Sequence, residues 1–364
     1  MEKFKPKSFH FQWHTTERCN LHCKHCYIDK KFIKEETSTK GLFIILDKYI
    51  KQMNEWGLDR DRTRITFMGG EPLIRKDFFD LLQKVYNNPS ISNFGLSTNG
   101  TLIDKDIVSK LSSLNTNYVQ VSLEGREKIN DEIRGKGVFK KAINSLNLFK
   151  KAGITTSISM TVSKMNIKEV PYLIKLSQEL NVNSLGIRRF IPIGGAKELK
   201  KFLLSPQEIK KLYLFISDTV KKTGMRIGLG CEDGILAQER HYLPSSCSAG
   251  YLSFTVLPNG DIYPCRRMPI YSGNLLKQSF SDIYYNSEEL KKIRNMNNAA
   301  DICQSCPYFI ECRGGAMCMR YAYFGNISTP DPQCWRLFEK LPEQPWIKKI
   351  SSKETRLNKR MIET

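Results

Sequence analysis

Three cysteines in one short run, Glu17-Arg-Cys-Asn-Leu-His-Cys-Lys-His-Cys-Tyr27, constrain this chain more than any other feature. Cys19, Cys23 and Cys26 stand at C-x3-C-x2-C and offer three soft thiolates. That is enough to hold three irons of a 4Fe–4S cube and leave the fourth without a protein ligand. A cluster that only transfers electrons gains nothing from the gap, because a fourth cysteine would fill it. An open iron is useful where something else must bind, so the spacing points toward catalysis. Zinc is the alternative, although its structural sites usually close with four ligands drawn from paired C-x2-C or Cys/His units. His22 and His25 lie inside the run, but neither stands at the spacing of a second pair.

The residues around the triplet alternate in a regular way. From residue 8 to about 190, short β-rich runs are separated by amphipathic helical stretches, the signature of repeated βα units on a parallel sheet. Strands are expected over Phe9–Trp13, Arg64–Phe67, Asn93–Ser97, Tyr118–Ser122, Thr155–Thr161 and Ser184–Arg189. Helices are expected over Thr39–Glu55, Lys76–Tyr86, Lys105–Ser112, Val138–Ala152 and Ile167–Glu179. Six units are too few for a closed eight-stranded barrel. The fold class is therefore α/β, an open partial (β/α)6 TIM-like barrel over residues 8–195. The polar, glycine-containing motifs fall after the strands, where parallel α/β sheets carry their chemistry. The Cys triplet follows the first strand, Met68-Gly-Gly-Glu-Pro72 the second and Thr98-Asn-Gly100 the third. Ser122-Leu-Glu-Gly125 follows the fourth and Pro192-Ile-Gly-Gly195 the sixth. Taken alone, Gly69-Gly70 reads as an ordinary turn; taken together, the motifs converge on one rim.

Residues 196–230 read as a helical bridge around Pro206–Lys221, and 231–340 as a smaller module with eight of the eleven cysteines and few long helices. A small domain without a large apolar core is commonly held by metal. An odd cysteine count in a chain with no secretory signal argues for ligation over disulfides and for the cytoplasm. Pro258-Asn259-Gly260 reads as a tight turn between two strands, which would bring Cys247 and Cys265 together. The longest apolar runs, such as Leu42–Leu46, are far too short to span a bilayer. Net charge is +20, which suits an anionic metabolite, an acidic peptide or nucleic acid, or simply a Lys-rich solvated surface. The densest basic stretch is the tail, residues 341–364.

These motifs together resemble the radical S-adenosylmethionine (SAM) superfamily with a C-terminal SPASM domain. The resemblance rests on the triplet, Gly69-Gly70-Glu71-Pro72, Ser97-Thr-Asn-Gly-Thr101, Ser122-Leu-Glu124 and the later cysteine blocks, and spans residues 9–338. It implies that Cys19, Cys23 and Cys26 hold a 4Fe–4S cluster whose open iron takes the amino and carboxylate groups of SAM. Reductive cleavage of SAM then yields a 5′-deoxyadenosyl radical that abstracts hydrogen from a substrate. By the same resemblance Gly69, Gly70 and Glu71 receive the SAM amino group and Asn99 lies in the SAM site. Ser122 and Glu124 bind ribose hydroxyls, and Arg134 binds the carboxylate. Family members often carry Asp where this chain has Glu124. Two auxiliary 4Fe–4S clusters are also implied. One would lie on Cys303, Cys306, Cys312 and Cys334, the other on Cys247, Cys265 and Cys318 with Cys231 as fourth ligand. The usual module has a cysteine where this chain has Ala316; Cys318 follows two residues later.

The peptide-modifying branch of the family is the nearest in pattern, through Val121-Ser-Leu-Glu-Gly and Asp131-Glu-Ile-Arg-Gly-Lys-Gly137. A peptide or protein substrate is therefore expected, with cross-linking, epimerisation or oxidation as the outcome. A tetrapyrrole or metal-cofactor precursor is the alternative substrate, and a metal-stapled, basic nucleic-acid-binding protein the alternative class. Anaerobic sulfatase maturases usually carry an Asp that serves as a base directly after the Tyr-Pro-Cys cysteine, where this chain has Arg266 and Arg267, which disfavours that activity. With Cys19 so near the start, no leader-binding domain is expected before it; either a separate leader-recognition protein presents the substrate, or the substrate is not a leader-bearing peptide. The family also implies an electron donor such as flavodoxin or ferredoxin.

Overall fold

Over its first five residues the first strand places a large aromatic at every second position. Phe9, Phe11 and Trp13 are at most 1% exposed, while His10 and Gln12 point to the opposite face and stay half-buried. Period-two alternation gives a strand one face for a core and one for something else. In the computed structural model, which describes residues 4–229 and 247–340, that division runs across a whole sheet. Cys231 and the basic tail lie outside the described residues.

In chain order the elements are β1 (Phe9–Thr16), α1 (Thr39–Glu55), β2 (Thr63–Gly69), α2 (Phe78–Tyr86), β3 (Phe94–Thr98), α3 (Lys105–Ser113), β4 (Tyr118–Ser122) and α4 (Glu127–Arg134). There follow α5 (Val138–Lys151), β5 (Thr155–Val162), α6 (Val170–Glu179), β6 (Ser184–Arg189), α7 (Pro206–Thr223) and β7 (Ile227–Gly228). The chain continues through β8 (Ser253–Val256), β9 (Asp261–Tyr263), β10 (Gly273–Asn274), α8 (Phe280–Asn286) and α9 (Glu288–Arg294). The last helices are α10 (Asp301–Gln304), α11 (Phe309–Cys312), α12 (Met317–Phe324) and α13 (Trp335–Lys340).

The strands form one sheet in the order β10-β9-β8-β1-β2-β3-β4-β5-β6-β7. From β1 to β7 every pair is parallel, as crossover helices require. Ile65, Phe67, Leu96, Val119, Val121, Ile158, Met160, Leu185 and Ile187 continue the buried apolar face. The other face carries Gln12, Ser97, Gln120, Ser122, Ser157, Ser159 and Thr161, half-buried and polar. The expected α/β architecture with a mostly parallel sheet is therefore present, and all six expected strands occur within a few residues of their expected ends.

Two features were not anticipated. α4 carries five charged residues and only two apolar ones, Ile129 and Ile133, so its periodicity is almost silent. β8 also joins the sheet, parallel to β1 with Phe11 opposite Phe254. The β8–β9 hairpin closes at the expected turn, with Gly260 at φ +85°. Aromatic contacts fasten it: Phe9 meets Phe254 edge-on at 5.3 Å, and Phe254 stacks on Phe280 at 5.4 Å. Such pairs contribute about 0.5–1.5 kcal/mol each beyond area burial.

Packing divides the chain into two compact units. The first holds the residues up to Leu203, the β7 stretch and Ser248–Asn295, and so includes the β8–β10 addition. The second holds Leu204–Thr223, Cys247 and the chain from Met296 onward. Its own core includes Ile209, Leu212, Tyr213 and Ile216 of α7, with Tyr213 perpendicular to Trp335 at 5.9 Å. Among the described residues no helix is long and apolar enough to cross a membrane.

Candidate active site

The Cys19–Cys26 loop leaves the end of β1 and settles on the Gly69-Gly70 backbone. Gly70 N–H donates to Thr16 O and Glu71 N–H to Arg18 O, both at 2.9 Å. A Cβ on Gly69 would lie 2.0 Å from Thr16 O, and one on Gly70 2.1 Å from Arg18 O. Both positions therefore need glycine for this close approach. Charge braces the loop on its far side. Arg18 donates to both carboxylate oxygens of Glu36, at 2.8 and 2.9 Å. Buried Arg75 donates to Thr15 O at 2.9 Å and Thr37 O at 2.7 Å and pairs with Asp77. Glu17, almost fully buried, accepts from Lys34 N at 2.6 Å and pairs with Arg266 of the segment after β9.

All three thiols are half-buried, and donors face two of them. Cys19 Sγ lies 3.4 Å from Leu21 N–H and 3.8 Å from Asn99 Nδ2. Cys23 Sγ lies 3.9 Å from Arg134 Nη1. Burial raises the Cys19 thiol and pushes Cys23 up to about 11, with the Arg134 cation opposing. Loading a metal must displace these protons. Among the described residues no three His, Cys, Asp or Glu side chains gather closely enough for a single metal ion. Three soft thiols on one loop, with N–H donors turned toward sulfur, suit an iron–sulfur cluster.

Two carboxylates flank the loop. Glu71 is fully buried and accepts from Thr98 Oγ1 at 2.9 Å and Asn99 N at 2.8 Å. Burial pushes it up to about 7 against those hydrogen bonds. It ties the end of β2 to the end of β3 and fixes Asn99 beside Cys19. On the other flank Glu124, also fully buried, accepts from Arg134 Nε at 3.1 Å and Nη2 at 2.5 Å, and from Thr161 N at 2.9 Å. Asn166 Nδ2 and His25 Nε2 each approach it to 3.2 Å. Burial alone would raise this carboxyl, but Arg134 and His25 outweigh it and hold it below its ordinary range.

Gly69, Gly70, Glu71 and Asn99 thus gather at Cys19, and Glu124 and Arg134 at Cys23. Ser122 ends β4 opposite Ser159, half-buried on the polar face. Glu124 and Arg134, expected to face ribose and carboxylate, are bonded to each other. Sequence reasoning missed Asn166, His25 as a partner of Glu124, and the Glu17–Arg266 pair. The signal for the Glu124–Arg134 pair was the helix between them, which was not foreseen.

In the second unit the cysteines gather around a different frame. Cys312 ends α11, and Arg313, Gly314 and Gly315 follow at φ +52°, +82° and +86°. A Cβ on Gly314 would lie 3.7 Å from Cys303 Sγ, and one on Gly315 2.5 Å from Asp331 Cβ. Asp331 is fully buried and accepts from Ala316 N at 3.0 Å and Gln333 N at 2.9 Å. Burial pushes Cys303 and Cys334 up to about 12. Cys312 is raised by burial and by Asp331, while the N–H groups of Gly315 and Gly314 oppose the shift. Cys312 lies within electrostatic range of Cys303, Cys306 and Cys334. Cys247 and Cys318 are buried in this unit, and Cys265 belongs to the first.

The radical SAM superfamily model matches residues 13–176, and the SPASM iron-sulfur cluster-binding domain model matches residues 247–307. An AdoMet-dependent heme synthase of Methanosarcina barkeri is 25% identical over 341 residues, 88% of this chain and 95% of that protein. Mycofactocin maturase MftC of Mycolicibacterium smegmatis is 28% identical over 340 residues, 88% of this chain and 81% of that protein. The solved structure of native anSMEcpe with bound AdoMet and Cp18Cys peptide superposes with a TM-score of 0.73 at 22% identity, covering 96% of this chain and 99% of that one.

Proposed function

Because this chain belongs to the radical SAM superfamily and carries a SPASM iron–sulfur domain, we propose that it is a peptide or protein maturase. When bound, the iron–sulfur cluster and SAM supply a carbon-centred radical able to abstract hydrogen from an unactivated substrate position. Cys19, Cys23 and Cys26 hold that cluster. The Gly69-Gly70 backbone fixes the loop carrying the cysteines, and Glu71 orients Asn99 toward Cys19. Arg134 keeps its charge through Glu124 and directs Nη1 at Cys23, which leaves it poised for an anionic group at the cluster. Ser122 offers a hydroxyl to the ribose of SAM. Cys303, Cys306, Cys312 and Cys334 hold one auxiliary cluster.

The observation that carries this reading is the three-thiol loop docked by backbone on Gly69-Gly70, with side-chain N–H groups turned to two of its sulfurs. A peptide substrate is supported by the mycofactocin maturase similarity and by the peptide named with anSMEcpe. Sulfatase maturation is disfavoured, because Arg266, in the position of that branch's base, is paired with Glu17. Cysteines at ligand spacings in a chain with no secretory signal suit the reducing cytoplasm. A flavodoxin or ferredoxin delivers the electron.

A tetrapyrrole substrate is the second reading, favoured by the similarity to an AdoMet-dependent heme synthase over 95% of that protein's length. Anaerobically reconstituted protein, reduced and given SAM, separates the two. Candidate peptides should stimulate 5′-deoxyadenosine formation and change mass. Stimulation by coproporphyrin with no peptide effect would replace the first reading by the second.

A further inference from the structure

The polar face of the sheet carries a guanidinium that has no carboxylate beside it among the described residues. Arg188 lies on β6 in register with Thr161, two residues beyond the Ser159–Gly186 pair, and so faces the same way as Ser122 and Ser159. Its side chain turns back along the sheet. Nη1 donates to Gly228 O at 2.6 Å. A Cβ built on Gly186 would lie 3.5 Å from Nη2, and one built on Gly228 3.7 Å from Nη1. The two glycines, on neighbouring strands β6 and β7, make a shallow bed for the guanidinium; any side chain longer than a methyl would occupy its space. β7 is the last strand of the sheet, so the bed lies at its open edge.

Several other arginines of this unit are matched by carboxylates, whereas Arg64 bonds a tyrosine hydroxyl and Arg294 backbone carbonyls. Arg18 pairs with Glu36, Arg75 with Asp77, Arg126 with Glu169, Arg134 with Glu124 and Arg266 with Glu17. Arg188 is half-buried, and among the described residues no carboxylate lies within ion-pair distance of it. Its neighbours across the face, Ser122, Gln120, Ser157, Ser159 and Thr161, are neutral. A guanidinium fixed at one corner and partly desolvated presents its remaining N–H fork to a carboxylate in bidentate geometry.

We propose that Arg188 is a specificity-determining residue that receives a carboxylate of the substrate. The inference rests on the radical SAM reading and deepens it, because it gives the substrate an acidic group. That group is an Asp or Glu side chain or C-terminus of a peptide, or a propionate of a tetrapyrrole.

The test uses the anaerobically reconstituted holoenzyme with SAM and measures equilibrium binding of two probe pairs. One pair is a pool of short fluorescein-labelled peptides rich in Glu and the same pool with Gln in place of Glu. The other is coproporphyrin III and its neutral amide. Wild type should bind the acid member of one pair at least about tenfold more tightly than its neutral counterpart. R188Q should abolish that preference, R188K should keep part of it, and SAM should bind all three proteins alike. If only the porphyrin pair discriminates, the peptide reading falls and the role of Arg188 stands. The proposal is overturned if wild type shows no acid preference in either pair, or if R188Q keeps the preference. It is equally overturned if R188Q weakens SAM binding as much as probe binding, which would make the carboxylate that of SAM.

Discussion

The two cysteine regions bury their thiols to similar effect but surround them differently. Around Cys19–Cys26 the partners are charged side chains from several strands: Glu36 and Arg75 behind the loop, Arg134 with Glu124 at Cys23, Arg266 with Glu17 at its base. Around Cys303–Cys334 the partners are mostly backbone. N–H groups of Gly314 and Gly315 face Cys312, those of Leu337 and Arg336 face Cys334, and Arg320 donates to carbonyls of Ile327, Thr329 and Arg313. A frame of backbone closes on what it holds. A frame of paired side chains can exchange a partner when a ligand arrives, and Arg134 is the group positioned to do so.

The sharpest way to break this contrast is to remove the cysteines of one region. Replacing Cys19, Cys23 and Cys26 by alanine should reduce SAM-derived deoxyadenosine to background while iron remains on the second region. Persistent cleavage in that variant, measured by chromatography of anaerobic assays, would show that the first region is not where SAM reacts.

Next in size are the buried charges. Arg134→Met strands Glu124 without its cation and should cost about 3–5 kcal/mol in denaturant titration. The double variant with Glu124→Gln should recover much of that. In the second region Asp331→Asn weakens an acceptor of backbone N–H groups, and about 1–3 kcal/mol is expected. Equal losses would erase the distinction between a charged and a backbone frame.

The glycines give a comparable test. Gly315→Ala puts a Cβ against Asp331 at a left-handed position and should cost about 1–3 kcal/mol. Gly70→Ala meets the backbone oxygen of Arg18 and should shift the cysteine loop. Its stronger signature should be weakened SAM binding rather than lost stability.

The last test is a pH slope. Burial, with the Arg64 charge, lowers His10 to about 3 from an ordinary value of 6.5. The unfolded chain therefore takes up a proton below pH 6.5 that the folded one refuses. Stability from His10 is complete above pH 6.5 and is lost as pH falls toward about 3, by at most about 1.4 kcal/mol per pH unit. His10→Asn should flatten this slope in urea midpoints measured across that range.

The sequence announces the parallel strands because β1 and its neighbours alternate large apolar and polar residues, and it announces the rim because each motif directly follows such a run. It is silent on α4, whose two isoleucines cannot carry a period against five charges. It is equally silent on Glu17–Arg266, a pair 249 residues apart that exists only because β8 adds to the edge of β1. Gly69-Gly70 was legible as important, but its physical task, admitting the backbone of the cysteine loop, required coordinates. Arg188 was invisible for a related reason: that its bonded partner is a backbone carbonyl and, among the described residues, not a carboxylate emerges only from the coordinates.

The account depends above all on an iron at the Cys19–Cys26 loop that SAM itself occupies. Electron–nuclear double resonance on the reduced enzyme, with SAM isotopically labelled in its amino group, tests this directly. A hyperfine coupling between label and cluster that disappears when the three cysteines become alanine is the predicted result. Absence of coupling in the wild type, or its survival in the alanine variant, would contradict the account.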